Sequence, residues 1–323
     1  MTDSSPGRVC PIRYRYGAQA LAGAPTREAS TLYVVGGLYG NGPALDTIEL
    51  LARTDRHGSE PPTVCFNGDF NWFNVADREF AQINLRVLAH DAILGNVEAE
   101  LDSPVDEAGC GCAYPDGVDE ATVERSNLIH RQLKATAGRH VALRQRIAQL
   151  PMIARYRVAG CRVGVVHGDS DSLAGWRFDV AALADPAAEP WLQSAFERAD
   201  VDLFASTHTC LPALRHVALS AGREGCVVNN GAAGMPNFKG DLAGLCTRIS
   251  TVPSPHPVLH ETRVAGAHVS LVPVRFDAQS WRAEFLAQWP AGSAAWLSYF
   301  QRIIAGPAFA PAQVFAAVWP AQI

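Results

Sequence analysis

The chain reads as an α/β protein, and three observations carry that reading. Short apolar runs end abruptly in glycine, as in Thr31–Val35 before Gly36-Gly37 and Thr63–Phe66 before Asn67-Gly68. Segments with apolar residues at helical spacing follow these runs. The order strand, loop, helix then repeats, which places chemistry at the carboxyl ends of the strands.

Taken in order, residues 1–30 form a leader containing Pro and Gly, and Thr31–Val35 is a buried strand. Residues 43–53 carry Ala44, Leu45, Ile48 and Leu51 on one helical face. Thr63–Phe66 is a second strand, 80–91 a helix, and Ala92–Leu94 a third strand. A polar, turn-rich stretch over 101–120 leads into a long helix from Asp119 to about Leu150, together an insert over 101–150. Cys161–Val166 and Leu203–Ala205 are strands. Cys226–Val228 leads into an amide- and glycine-dense loop, Asn-Asn-Gly-Ala-Ala-Gly-Met-Pro-Asn. His268–Phe276 is a late strand, and Pro273 within it predicts an edge or bulged position because proline cannot donate to a ladder. From Ala278 the tail is aromatic and helical, broken at Pro290 and Pro307. The expected division is leader 1–30, main domain 31–276, and a helical extension 277–323 packed on it.

At 323 residues, 48% hydrophobic and 18% charged, the chain can bury a sizeable core. A net charge of −5 without a basic block gives no footprint for nucleic acid or an anionic membrane, so a small-molecule partner is expected. No apolar stretch is long enough to span a bilayer, and the N-terminus lacks the secretory pattern. A cytoplasmic location is therefore expected, with the eight cysteines reduced. Cys65, Cys161, Cys226 and Cys246 lie in apolar runs and read as core. His57 and the other histidines outside motifs read as structural or exposed.

Four short motifs remain: Phe-Asn-Gly-Asp-Phe (66–70), Leu-Gly-Asn-Val-Glu (94–98), Val-Val-His-Gly-Asp (165–169) and Ser-Thr-His-Thr-Cys (206–210). They supply Asp69, Asn96, His167 and His208, a carboxylate, an amide and two imidazoles suited to Mn²⁺, Fe²⁺ or Zn²⁺. Their order and their places at strand exits resemble the calcineurin-like metallophosphoesterase superfamily over roughly residues 31–276. The resemblance implies a sandwich of two mixed sheets flanked by helices, with a two-metal centre at the strand ends. It makes Asp69 the bridging carboxylate, with Asn96, His167 and His208 completing one metal's shell. It also implies hydrolysis of a phosphate mono- or diester of a small molecule, a metal-bound hydroxide being the nucleophile.

The other half of the pair departs from the family pattern. Where the family has an aspartate and a histidine, this chain has Gly37 and Tyr39, and the final histidine of the last motif is Cys210. The histidine that often follows Gly-Asn is Val97. Three readings are open. One is a single-metal phosphoester hydrolase. Another is a repurposed thiolate centre, zinc or iron–sulfur, built from Cys210, Cys110 and Cys112 with Cys10 as a further ligand. The third is a non-catalytic, metal-dependent binding protein. Around the site, the Asn41 loop lines the substrate side in the family, and Asn230 falls in a segment resembling one that packs near the centre. Glu98 and Asp169 are candidates to orient ligands, and Trp176 and Arg177 to shape a pocket, with Arg177 suited to phosphate.

Overall fold

The computed structural model describes residues 5–55, 60–104 and 107–315. His57, parts of the leader and insert (residues 1–4 and 105–106) and the extension's residues 316–323 lie outside the described residues. In chain order the elements begin with α1 (Gln19–Ala22), β1 (Thr26–Glu28), β2 (Thr31–Val35), α2 (Gly42–Thr54), β3 (Thr63–Asn67), α3 (Asp77–Val87), β4 (Asp91–Ile93) and α4 (Asn96–Leu101). The middle of the chain forms α5 (Glu120–Arg139), α6 (Val141–Ala148), β5 (Ile153–Val158), β6 (Cys161–Val166), α7 (Val180–Ala184), α8 (Glu189–Ala199) and β7 (Leu203–Ser206). The last part is β8 (Pro212–Ala218), β9 (Glu224–Asn230), β10 (Gly244–Ser250), β11 (His260–Val264), β12 (Ala267–Val274), α9 (Ala278–Gln288) and α10 (Ala294–Ala305).

Two six-stranded mixed sheets result, ordered β1-β5-β6-β7-β9-β8 and β11-β12-β10-β2-β3-β4. They pack face to face, and strand alternation sorts the side chains. Leu32, Val34, Cys65 and Ile93 of one sheet meet Val163, Val165, Leu203 and Val228 of the other in a shared apolar layer. The opposite faces, bearing Tyr33, Val35 and Phe66 on one side and Phe204 and Val227 on the other, lie under helices. The fold is thus a helix–sheet–sheet–helix sandwich. Among the described residues no helix is long and apolar enough to cross a membrane.

Several expectations are corrected. The helix expected over 80–91 ends at Val87, because Asp91 already pairs with Cys65 in the sheet. The long helix after Asp119 is broken at His140, whose φ and ψ of −107° and 56° are not helical. The strand holding Pro273 is not at an edge: β12 lies between β11 and β10. Its pairing with β11 ends at Leu271, however, so Pro273 faces only Leu245 of β10 and the missing N–H disrupts no ladder on the other side. Strands β5, β8 and β11 were not anticipated, since their outward positions carry Arg157, His216 and Glu261 and blur the apolar runs; the short exposed β1 and the fully buried β10 were not anticipated either.

A fully buried ion pair anchors the helix α2 end to β10. Arg248 Nε meets Asp55 Oδ2 at 2.5 Å, and Tyr33 donates its hydroxyl to the same oxygen at 2.7 Å. Burial alone would raise the Asp55 carboxyl; the bonds from Arg248 and Tyr33 outweigh it and hold the group below its ordinary 3.8. The stability it contributes is present above pH 3.8 and is lost as pH falls through the lower folded value. Asp55→Ala strands a buried guanidinium and should cost about 3–5 kcal/mol by urea denaturation. The variant's stability should also lose part of the wild type's acid dependence below pH 4 or so; an unchanged acid limb would show that Asp55 does not supply it.

Candidate metal centre

Two strands from each sheet deliver one motif residue apiece to the same end of the sandwich: Asp69 follows β3, Asn96 follows β4, His167 follows β6 and His208 follows β7. Asp69, His167 and His208 are all buried, and each offers a ligand atom within 4.8 Å of the others.

Each is held in place from behind. The turn carrying Asp69 has left-handed backbone at both Gly68 (φ 72°) and Asp69 (φ 50°). A side chain at Gly68 would lie 2.4 Å from the Gly95 nitrogen and 2.6 Å from His167 Nδ1, so only glycine lets the β3 and β4 exits close on each other. Glu98 secures both loops: its Oε2 accepts from the N–H of Asp69 (2.7 Å) and Gly95 (3.2 Å), and its Oε1 from the N–H of Asn71 (3.0 Å). Burial and the neighbouring Asp69 charge push the Glu98 carboxyl up to about 7.

His167 donates Nδ1–H to the Asn67 carbonyl at 2.8 Å, which turns Nε2 toward Asn96 Oδ1 (3.1 Å) and Asp69 Oδ1 (3.3 Å). Burial opposes a charge on His167, but Asp69 overcomes it and raises the imidazole above its ordinary value. Asp69 is correspondingly lowered: His167 outweighs the burial that would raise it. His208 behaves oppositely. Burial, then the proximity of His167, lowers it to about 3, so its ring is neutral. Both of its nitrogens are buried without a hydrogen-bond partner of ordinary geometry, the Cys112 backbone adding only a small effect. Trp176 packs edge-on against the ring at 5.1 Å.

The Cys-Gly-Cys loop reaches this centre through its backbone. Asn96 Nδ2 donates to the Cys110 carbonyl (2.9 Å) and lies 3.4 Å from Cys112 Sγ, which leaves Oδ1 facing inward. Trp176 Nε1 donates to the Cys112 carbonyl at 3.0 Å and fixes the loop from the other side. Among the described residues, the cluster of His, Cys, Asp and Glu groups able to hold a metal contains no cysteine. Cys112 and Cys210 line the adjoining pocket, and burial raises both thiols. Cys110 is fully buried, and Cys10 instead contacts Ser172 Oγ at 3.4 Å beside the N-terminal segment.

Gly37, Tyr39 and Cys210 form one unit. The Tyr39 ring folds over Gly37, where an added side-chain carbon would lie 2.9 Å from it, and its hydroxyl shares a 2.9 Å hydrogen bond with Cys210 Sγ. A phenol and a thiol thus fill the space that Gly37, Tyr39 and Cys210 leave beside Asp69. Burial, then the electrostatic influence of Cys210 and Asp69, raises Tyr39 well above its ordinary value and keeps it protonated.

Other residues singled out in the sequence serve the scaffold. Asn41 caps α2 by accepting from the Ala44 N–H and donates to the Gly234 carbonyl. Asn230 donates to the carbonyls of Gly36 and Leu245. Asp169 accepts from the N–H groups of Asp171, Ser172 and Arg177, so it shapes its own loop and not a ligand imidazole. Arg177 stacks its guanidinium over Trp191 at 4.7 Å and does not line the pocket. Sequence reasoning missed Trp72, Tyr114 and Tyr299, which line the pocket, and Arg302, which donates to the Cys210 carbonyl at 2.6 Å. The density of Trp296, Tyr299 and Phe300 in the tail was the signal available for the last two.

No protein-family model matches the sequence, and no curated protein matches it. Solved structures do. A metallophosphoesterase from Sphaerobacter thermophilus superposes with a TM-score of 0.52 at 16% identity, covering 86% of this chain and 100% of the other. A hypothetical protein from Pyrococcus horikoshii gives 0.53 at 12% identity, over 86% and 99%. The chain has the calcineurin-like metallophosphoesterase fold, and at these identities the likeness is one of fold.

Gly37→Ala should destabilise the protein by about 1–3 kcal/mol, since it places a side chain at φ 65° against the Tyr39 ring. Displacing that ring should also speed reaction of Cys210 with a maleimide. An unchanged midpoint with unchanged thiol reactivity would show that the ring is not seated on Gly37.

Proposed function

We propose that this chain is a metal-dependent phosphoester hydrolase whose centre holds one divalent ion, Mn²⁺, Fe²⁺ or Zn²⁺, on Asp69, Asn96, His167 and His208. The observation that carries this is His208, whose ring nitrogens are both buried without a hydrogen bond of ordinary geometry, 5.1 Å from the His167 ring. An orphaned buried polar group costs about 1–3 kcal/mol, and a metal bond to one ring nitrogen removes that nitrogen's share of the cost. The donor set fits such an ion: a carboxylate already ionised, a neutral imidazole, an amide oxygen, and an imidazole whose Nε2 takes a metal in place of its proton.

When bound, the ion supplies a Lewis acid that polarises a phosphoryl oxygen and lowers the pKa of water. The chain's own residues prepare the place. The Asn67 carbonyl fixes the His167 tautomer, the Cys110 carbonyl turns Asn96 Oδ1 inward, and Glu98 holds the Asp69 backbone. Tyr39 and Cys210 occupy the other half with neutral groups, which supports one ion over two. The substrate is a small phosphorylated molecule entering by the pocket next to the cluster.

The test is metal content and calorimetric Mn²⁺ titration alongside hydrolysis of p-nitrophenyl esters of phosphate. About one ion per chain is expected. His208→Ala and Asp69→Asn should each weaken Mn²⁺ by tenfold to a hundredfold or more, and Cys210→Ser should leave it unchanged. Hydrolysis should stop in chelator and return with metal. Wild-type metal affinity in His208→Ala, or activity that survives chelation, would overturn the assignment.

A further inference from the structure

The cavity beside the cluster, whose lining includes Tyr39, Asp69, Asn96, His208 and Cys210, holds about 50 Å³. One water takes roughly 10–15 Å³ on this measure, so there is room for about three to five oxygen-sized atoms, the size of one phosphoryl group. Among the described residues no lysine or arginine lines it. Phosphoryl oxygens turned away from the ligand cluster can therefore be met by side chains only through neutral donors.

Several of the lining donors are already committed. Asn96 Nδ2 and Trp176 Nε1 donate to the carbonyls of Cys110 and Cys112. The Tyr114 hydroxyl pairs with Ser126 Oγ at 3.0 Å, and the Tyr299 hydroxyl is within hydrogen-bonding reach of the same serine. The Tyr39 hydroxyl differs, because its partner is the Cys210 thiol at 2.9 Å. That thiol donates its own hydrogen to the His208 carbonyl at 3.3 Å, which leaves the sulfur as acceptor for the Tyr39 O–H. Sulfur is a weak acceptor, whereas an anionic oxygen is a strong one. A phenolic hydrogen turns about its C–O bond without moving the ring, so it is free to change partners. The ring itself is set beforehand. It lies on Gly37, its backbone N–H donates to the Asp69 carbonyl at 3.0 Å, and its carbonyl accepts from the Phe73 N–H at 3.2 Å. Both Tyr39 (φ 56°) and Cys210 (φ 63°) have left-handed backbone, which persists in such residues only where the surroundings enforce it.

We propose that Tyr39 is an oxyanion donor of this site: its hydroxyl exchanges the Cys210 sulfur for a phosphoryl oxygen when a phosphate group enters the cavity. This rests on the metal-dependent hydrolase reading and assigns a substrate contact to a residue outside the ligand set. The hydrogen stays on the phenol throughout, so the contact is a hydrogen bond and not a proton transfer. Cys210 is the resting acceptor, a place for the hydroxyl that costs little to leave. A donor fixed in position before the oxyanion arrives stabilises it more than one that must first be ordered.

The experiment titrates inorganic phosphate into the full chain loaded with Mn²⁺, read by calorimetry, and measures turnover of methyl phosphate and p-nitrophenyl phosphate. Tyr39→Phe keeps the ring on Gly37 and removes only the hydroxyl. It should weaken phosphate about tenfold to a hundredfold and lower kcat/KM by at least as much, with Mn²⁺ content and urea midpoint unchanged. Cys210→Ala removes the resting acceptor and should bind phosphate as tightly as the wild type or tighter. A packing role for the pair predicts the reverse order, since Cys210→Ala opens a void and Tyr39→Phe does not. Wild-type phosphate affinity in Tyr39→Phe, equal weakening in both variants, or no phosphate binding by the wild type overturns the proposal. If the esters are hydrolysed and Tyr39→Phe keeps the wild-type kcat/KM, the hydrolase reading stands and this one falls. If phosphate weakens in Tyr39→Phe as expected while the wild type hydrolyses neither ester, the donor role stands and the hydrolase reading falls.

Discussion

Two carboxylates, Asp69 and Glu98, are buried side by side at the top of the sandwich, and the rest of the centre is organised around that fact. Like charges this close cannot both ionise cheaply in a dry interior. The fold divides them by role. Glu98 is surrounded by backbone N–H donors and pushed up to about 7, while Asp69 faces His167 and stays ionised. One carboxylate becomes a fastener for two loops, and the other is left pointing at the imidazoles. The arrangement requires positive charge in front of Asp69, from an imidazolium or a metal ion. His208, held neutral, cannot supply it by itself.

The opposite side of Asp69 answers a different constraint. Buried space lined by polar groups is destabilising unless filled. Here the filling is coordinated. Glycine at 37 makes room for the Tyr39 ring, and the ring carries a hydroxyl to the thiol at 210. None of these three residues is readable alone. Together they make a packed group of neutral side chains beside Asp69.

Much of the fold was legible because the strands that carry the site are short apolar runs stopped by glycine, as at β2, β3 and β6. The four converging residues were legible for the same reason: strand exits are where an α/β chain can aim side chains. What could not be read depends on distant backbone. The Cys-Gly-Cys loop suggested thiolate chemistry, whereas the contact that matters is the Cys110 carbonyl, and carbonyls leave no mark on a sequence. Arg177 suggested phosphate recognition, yet Trp191 claims it. Strands such as β5 and β8 were hidden because their charged positions find partners elsewhere, as Arg155 does with Asp200 and Arg215 with Glu189.

The contact between Arg302 and the Cys210 carbonyl has a consequence for biosynthesis. Asp69, Asn96, His167 and His208 are all translated well before α10, which supplies both Arg302 and the Tyr299 wall of the pocket. A nascent chain on the ribosome therefore has the candidate ligands long before it has the enclosure. Until that helix is made, no other part of the chain supplies these two contacts. On the proposed metal-dependent reading, which ion is bound is then open to influence by cellular metal supply during that interval, and not only by the affinity of the closed site.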